Sequence, residues 1–272
     1  MTSANGSMES RCALVTGAGS GVGRAVALRY ARAGATVVMV DVFGDGMART
    51  VELGGPELEK ALVPVVADVR EVDQLRGAVR AAEDRTGGVD VVAAIAGLSR
   101  AARMLEMDHA TRDLVFGVNL LGVWNTMEAA LPSLLARGPG GRILVCGSVE
   151  CVLAGESLAA YVASKHGVLG LAKSMALELA TSGITVNVVS PAGVDTEMLR
   201  SVVSREDIAH VAATTPVPRL STPDEVAAFF EFLVGPETAY LTGENIVVDG
   251  GLKLVNAHTA GVALGRQKGE SA

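Results

Sequence analysis

The sequence predicts an α/β fold: a single domain built on a doubly wound, parallel β-sheet with helices on both faces. Three observations carry this. Short apolar runs rich in β-branched residues alternate with segments of helical spacing from residue 12 to residue 248, the pattern left by crossover connections. Apolar residues make up 49% of the 272-residue chain but aromatics only 3%, so the core is built from Ala, Val, Leu and Ile, which suit strands buried on both faces. Gly17, Asp41, Asp68, Gly97, Ser148 and Pro191 all fall just after apolar runs, and in such sheets ligands bind outside the carboxyl ends of the strands.

Each element follows in order. Residues 12–15 are a short apolar strand that ends in a glycine-rich turn, and a helix over 22–33 follows, closed by Gly34. Residues 36–40 are a β-branched strand ending at Asp41, and 62–66 another ending at Ala67-Asp68. Residues 72–86 have helical spacing with charged faces, and 89–95 are a continuous apolar strand ending at Ala96-Gly97. A long helix lies within 108–136, a strand at 142–146, a helix at 161–180 and a strand at 185–189. A helix at 223–233 and a strand at 245–248 complete the set. The length suits one large domain, read here as 11–251, with 197–217 as a lid over the substrate. Residues 1–10 and 252–272 read as poorly ordered ends.

Charge and composition exclude several functions. A net charge of −7 and a pI near 5.2 disfavour nucleic acid and anionic membrane surfaces as partners, since both need a basic face. No apolar run is expected to approach the roughly 18 residues that span a bilayer, and the polar start carries no secretion signal. Three cysteines without a C-x-x-C pair, Cys12, Cys146 and Cys151, point to reduced thiols in a cytoplasmic protein. Cys12 and Cys146 read as small core residues, while Cys151 is open to a second reading as a reactive thiol. The histidines at 109, 166, 210 and 258 are scattered, with no metal-ligand spacing and no G-x-S-x-G nearby, so no metal is expected.

The first turn reads Thr16-Gly17-Ala18-Gly19-Ser20-Gly21-Val22-Gly23. Glycines after a strand let the backbone approach a pyrophosphate, and the helix start supplies N–H groups and a positive dipole end. The strict G-x-G-x-x-G spacing is not met, because its third glycine falls on Val22. A tight strand–helix connection alone gives the same residues. Asp41 strengthens the nucleotide reading: it closes the second strand 18 positions after Gly23, where an acid accepts hydrogen bonds from an adenosine 2′-hydroxyl and repels a 2′-phosphate. Val42 and Ser20 bring no cation to receive that phosphate, so NAD is favoured over NADP. Asp68 is left between capping its own turn and contacting adenine.

Tyr161 and Lys165, four apart on a helix, share a face. A phenol ionises near pH 10; proton exchange near neutrality needs about 4 kcal/mol of help, and a cation about 4 Å away at an effective dielectric of 20 supplies about that. The pair alone is common on ordinary helices. Ser148 adds weight, since it follows the strand at 142–146, thirteen residues before Tyr161, where its hydroxyl can hold a substrate oxygen.

In order along the chain, Thr16-Gly17-x-x-x-Gly21-x-Gly23, Asp68-Val69, Asn119, Ser148, Tyr161-x-x-x-Lys165, Pro191 and the closing segment 241–251 closely resemble the short-chain dehydrogenase/reductase family, across 11–251. The resemblance implies a Rossmann-like fold and an NAD-dependent exchange between a secondary alcohol and a ketone. It implies that Ser148 orients the substrate oxygen and Tyr161 exchanges the proton. Lys165 would bind the nicotinamide ribose and favour the phenolate, and Asn119 would hold a water linking Lys165 to solvent. Gly17, Ser20, Gly21, Val22, Gly23, Asp41, Ala96, Gly97 and Pro191 would line the cofactor. Asp68 and Val69 would meet the adenine, and Val194 and Thr196 the carboxamide. A homo-oligomer, dimer or tetramer, would use the helices bearing Asn119 and Tyr161.

Two positions depart from the family pattern. Ala94-Ile95 replaces the usual Asn-Asn, whose side chain ties neighbouring strand ends together, and Pro191-Ala192-Gly193 replaces Pro-Gly. Met198, Leu199, Val202, Val203, Ile208 and Val211, with Leu98, Val149, Val152 and Leu153, would wall an apolar substrate site. The rival readings are an NADPH-using ketoreductase, a non-redox isomerase or cyclase on the same scaffold, and a nucleotide sensor without turnover.

Overall fold

In a computed structural model, residues 8–202 and 204–255 are described. Seven strands form one parallel sheet: β1 (Cys12–Thr16), β2 (Thr36–Asp41), β3 (Leu62–Val66), β4 (Val91–Ala94), β5 (Arg142–Cys146), β6 (Thr185–Pro191) and β7 (Asn245–Val248). Their order is β3-β2-β1-β4-β5-β6-β7, so the winding reverses between β1 and β4, where doubly wound sheets open a crevice.

The apolar runs conceal a period of two. Ala13, Val15, Val37 and Met39 face one core layer, while Cys12, Leu14, Val38 and Val40 face the other. The first layer is closed by α1 (Gly21–Arg32), α2 (Gly44–Gly54) and α9 (Pro223–Leu233), which contribute Val26, Tyr30, Met47, Val226 and Phe230. The second is closed by α3 (Val72–Thr86), α5 (Gly122–Arg137) and α6 (Ala159–Leu179). On α3 the buried residues Leu75, Ala78, Val79 and Ala82 follow the i, i+3, i+4, i+7 stripe of an amphipathic helix. Two short helices, α7 (Glu197–Val202) and α8 (Arg205–Thr214), fill the segment read as a lid.

The structure corrects the sequence reading at several points. Met8 is fully buried and its carbonyl accepts from Arg11 N, so the ordered chain begins before residue 11; residues 1–7 lie outside the described residues. Leu252–Leu254 form a helical turn held by the Asp249 carboxylate, which accepts from Gly251 N and Lys253 N, so the ordered chain also runs past Gly251. Residues from 256 on, His258 included, lie outside the described residues.

Helix α2 had no sequence signal, because Gly44 and Gly46 in its first turn read as loop. The expected long helix is α4 (His109–Phe116) and α5 joined through a single π-type turn, Gly117–Leu121. That continuous helix, His109–Arg137, has an 18-residue window of mean hydropathy 1.3, enough by length and composition to cross a membrane, contrary to the sequence reading. Its apolar residues Val115, Val123, Met127, Ala130 and Leu134 are buried within the domain.

Candidate active site

The glycine turn connects β1 to α1 at the point where the sheet reverses. A Cβ on Gly23 would lie 2.1 Å from the Gly17 carbonyl oxygen, and one on Gly17, at φ +70°, would lie 3.0 Å from Ala96 Cα. Side chains are therefore excluded from the turn on both sides. Ser20 caps α1 with backbone only, and no acidic residue stands in the first turn. The N–H groups of Gly21, Val22 and Gly23 thus start a helix without a side-chain cap, the arrangement that receives a phosphate. These residues fit a dinucleotide's pyrophosphate.

Asp41 ends β2 beside this turn. One carboxylate oxygen accepts from Gly19 N at 2.9 Å and the other from Phe43 N at 3.0 Å. Arg24 lies under the turn, donating to the Gly19 carbonyl and to Thr50 Oγ1. Val42 and Phe43, just beyond Asp41, are exposed. On the far side of the crevice Pro191 closes β6, Val194 is buried against Ser221, and Thr196 Cγ2 would sit 3.2 Å from a Cβ on Gly21. Asp68 caps its own turn: it accepts from Arg70 N and pairs with the Arg70 guanidinium, whose hydrogen bond holds its carboxyl below the ordinary range. Val69 is buried.

The second group gathers at the carboxyl ends of β4 and β5. Tyr161 lies in the first turn of α6, which begins at Ala159, two residues earlier than the spacing predicts. Lys165, one turn on, is only 4% exposed, and its Nζ donates to the Cys146 carbonyl at 2.8 Å. The same Nζ stands 5.7 Å from the centre of the Tyr161 ring. No carboxylate pairs with Lys165 among the described residues, so a buried cation faces the phenol without a counter-ion. Ser148 Oγ accepts from Glu150 N at 3.2 Å, which leaves its own proton to donate. Asn119 is fully buried in the π-type turn; its amide exchanges two hydrogen bonds with the Leu98 backbone, at 2.8 and 2.9 Å, and donates to Ser164 Oγ at 3.2 Å. Ser164 in turn donates to the Tyr161 carbonyl at 2.7 Å. A Cβ on Gly97 would lie 3.8 Å from Lys165 Nζ, so Ala96 and Gly97 link the two groups.

The family model described as enoyl-(acyl carrier protein) reductase matches residues 17–253. The chain is 32% identical over 274 residues to the oxidoreductase UcpA of Escherichia coli, covering 94% of this chain and 100% of that protein. It is 34% identical over 247 residues to the 3-oxoacyl-[acyl-carrier-protein] reductase FabG of Thermotoga maritima, covering 90% and 98%. A crystal structure of a short-chain type dehydrogenase/reductase from Mycobacterium marinum superposes with a TM-score of 0.87 at 30% identity, covering 91% of this chain and 97% of that one. The chain belongs to the short-chain dehydrogenase/reductase family. Members of that family are oxidoreductases that use NAD or NADP, act on small molecules and commonly form oligomers.

Within this short-chain dehydrogenase/reductase fold, the strand ends beside Ala94-Ile95 are tied by a contact that the sequence did not announce. Thr16 Oγ1 accepts from both Ile95 N and Ala96 N, at 3.0 and 3.1 Å, and so ties the end of β1 to the end of β4. The clasp spans about eighty residues, and its one local sign is a threonine just before Gly17. Ser164, the Cys146 carbonyl and Arg24 also went unread. Cys151 is buried, with its thiol toward the Lys165 carbonyl, so it packs beneath α6 and is not an open thiol. His166 is exposed and contacts the Val162 carbonyl.

The lid residues are only partly enclosed. Met198 is exposed, Leu199, Ile208 and Val211 are half-buried, and Val152 and Leu153 face solvent, whereas Val149 is buried. Val203 and the side chain of Val202 lie outside what is described.

Proposed function

We propose that this protein is an NAD-dependent oxidoreductase that interconverts a secondary alcohol and a ketone, with Tyr161 as its general acid/base. The observation that carries the reading is the buried, counter-ion-free Lys165 ammonium, fixed on the Cys146 carbonyl 5.7 Å from the Tyr161 ring. It lies at the sheet end that also bears the glycine turn.

A bound nicotinamide supplies the hydride chemistry. The chain's own residues manage the oxygen. The Ser148 hydroxyl, already accepting from Glu150 N, donates its proton to the substrate oxygen and fixes it. Tyr161 gives that oxygen a proton during reduction and takes one during oxidation. Either way a negative charge visits the phenol oxygen, and the Lys165 cation stabilises it in a region poor in water. Lys165 has three donors and spends one on Cys146, which leaves two for the cofactor ribose. Asn119 holds Leu98 and, through Ser164, the carbonyl of Tyr161, so it sets the position of both the strand end and the base.

Asp41 supports NAD. Its carboxylate stands beside the glycine turn, within reach of a ribose hydroxyl of a dinucleotide bound there, and Val42 and Phe43 offer no cation to a 2′-phosphate. The apolar lid residues support a mostly apolar substrate of medium size. The free thiols support a reducing compartment.

A second reading is reduction of a 3-oxoacyl thioester with NADPH, favoured by the names of the FabG relatives. A panel of secondary alcohols with NAD⁺ or NADP⁺, and of ketones and 3-oxoacyl thioesters with NADH or NADPH, followed at the nicotinamide absorbance band, tests both. Turnover of an alcohol or ketone, with the NAD pair preferred, is the expected result. Product without any absorbance change indicates a non-redox enzyme, and equal use of NADP counts against the role given to Asp41.

A further inference from the structure

At the opposite, amino-terminal edge of the sheet lies a cavity of 290 Å³ lined by Arg11, Asp90, Arg137, Arg142, the 138–141 loop, Val234 and Pro236. In a chain with 23 basic and 30 acidic residues, three guanidinium groups around one cavity with one carboxylate is a local reversal of charge.

That carboxylate is fully committed. Asp90 takes a bidentate pair from Arg137, at 2.8 and 3.1 Å, and also accepts from Cys12 N at 2.7 Å. Among the described residues Arg11 donates only to carbonyls, of Val234 and Gly140 at 2.9 Å each and of Asp90 at 3.5 Å. Arg142, the first residue of β5, is 4% exposed; among the described residues its one side-chain partner is the Gly141 carbonyl at 3.0 Å, and its Nε has no acceptor. Burial, and after it the charge of Arg11, pulls the Arg142 guanidinium below its usual range. An orphaned donor on a buried cation is costly and is retained where something satisfies it.

We propose that this cavity binds a phosphate-class dianion. Three guanidinium groups against the single Asp90 carboxylate leave two positive charges unbalanced among the described residues of the lining, matching the charge of hydrogen phosphate, and guanidinium groups suit phosphate oxygens in pairs. Its place at the far edge of the sheet separates this anion site from the pyrophosphate turn, so it holds a second ligand rather than the cofactor.

The test is calorimetric titration of inorganic phosphate into the full chain at constant ionic strength, with NAD⁺ and NADP⁺ both saturating so that the glycine turn is filled. Saturable uptake of one phosphate per chain is expected, weakened about tenfold or more in Arg142→Met. Arg137→Gln, on the more exposed side of the cavity, is the second variant should Arg142→Met fail to fold, and it weakens uptake too. Repeating the titration with glycerol 3-phosphate separates free from esterified phosphate, and arginine-dependent uptake of either supports the site. No saturable uptake, or uptake unchanged in a folded variant, overturns it.

Discussion

Asp41 uses each of its two oxygens on a backbone N–H, Gly19 on one side and Phe43 on the other, so the residue proposed to select the cofactor also shapes the turn proposed to receive it. A phosphate about 4 Å from such a carboxylate meets repulsion of about 4 kcal/mol at an effective dielectric of 20. Asp41→Ala combined with Val42→Arg is therefore expected to raise the kcat/KM ratio of NADP over NAD by at least about tenfold; an unchanged ratio removes Asp41 from cofactor choice. Gly23 gives a steric prediction at the same scale. Because a Cβ there would stand 2.1 Å from the Gly17 oxygen, Gly23→Ala should lose dinucleotide binding in a fluorescence titration. The side chains of Tyr161, Lys165 and Ser148 were legible in the sequence because each is placed by local spacing, a helical i, i+4 pair and a strand end. The contacts of Thr16 and Ser164 were not, because their partners lie 79 and 45 residues away and local spacing does not reach that far.

Elements place these residues, and two of them give tests of their own. Thr16 clasps β1 to β4 through two N–H groups that have no place in the sheet ladder. Thr16→Val keeps the shape and strands both donors, which should cost about 1–3 kcal/mol in denaturant unfolding. Helix α9 starts with a capping box in which Thr222 and Glu225 exchange hydrogen bonds, and Glu225 also pairs with Arg219. The Arg219 guanidinium, and then the Thr222 amide, hold the Glu225 carboxyl down to about 2 from an ordinary 4.5. A lowered value in the folded state means stabilisation that is complete above about pH 4.5 and fades as the pH falls toward 2. Glu225→Gln should therefore have a lower Tm than the parent at pH 6, with the gap closing across that window. The strands were legible from β-branched runs, and α9 was placed at 223–233. Helix α2 was hidden because tertiary burial of Met47 and Thr50 outweighs its glycines. The π-type turn at Asn119 was hidden because nothing in a helical run marks one extra residue per turn.

At the scale of the molecule, the reversal of winding between β1 and β4 sets the glycine turn beside the Lys165 group; alternation made the parallel, doubly wound sheet readable, while the order of its strands came from the structure. Assembly was not, since it depends on which apolar side chains stay outside. Leu121 and Trp124, beside the π-type turn, are 55% and 53% exposed. The expected homo-oligomer would use that face, so Trp124→Glu should lower the mass found by light scattering. The central claim is that Tyr161 moves the proton while a dinucleotide lies alongside. Its most direct test compares turnover and NAD⁺ binding of Tyr161→Phe with the parent, on whichever alcohol the parent oxidises. The expected result is dinucleotide affinity within about twofold and a loss of turnover of about 10²–10⁴, whereas a variant that still turns over at the parent rate contradicts the assignment.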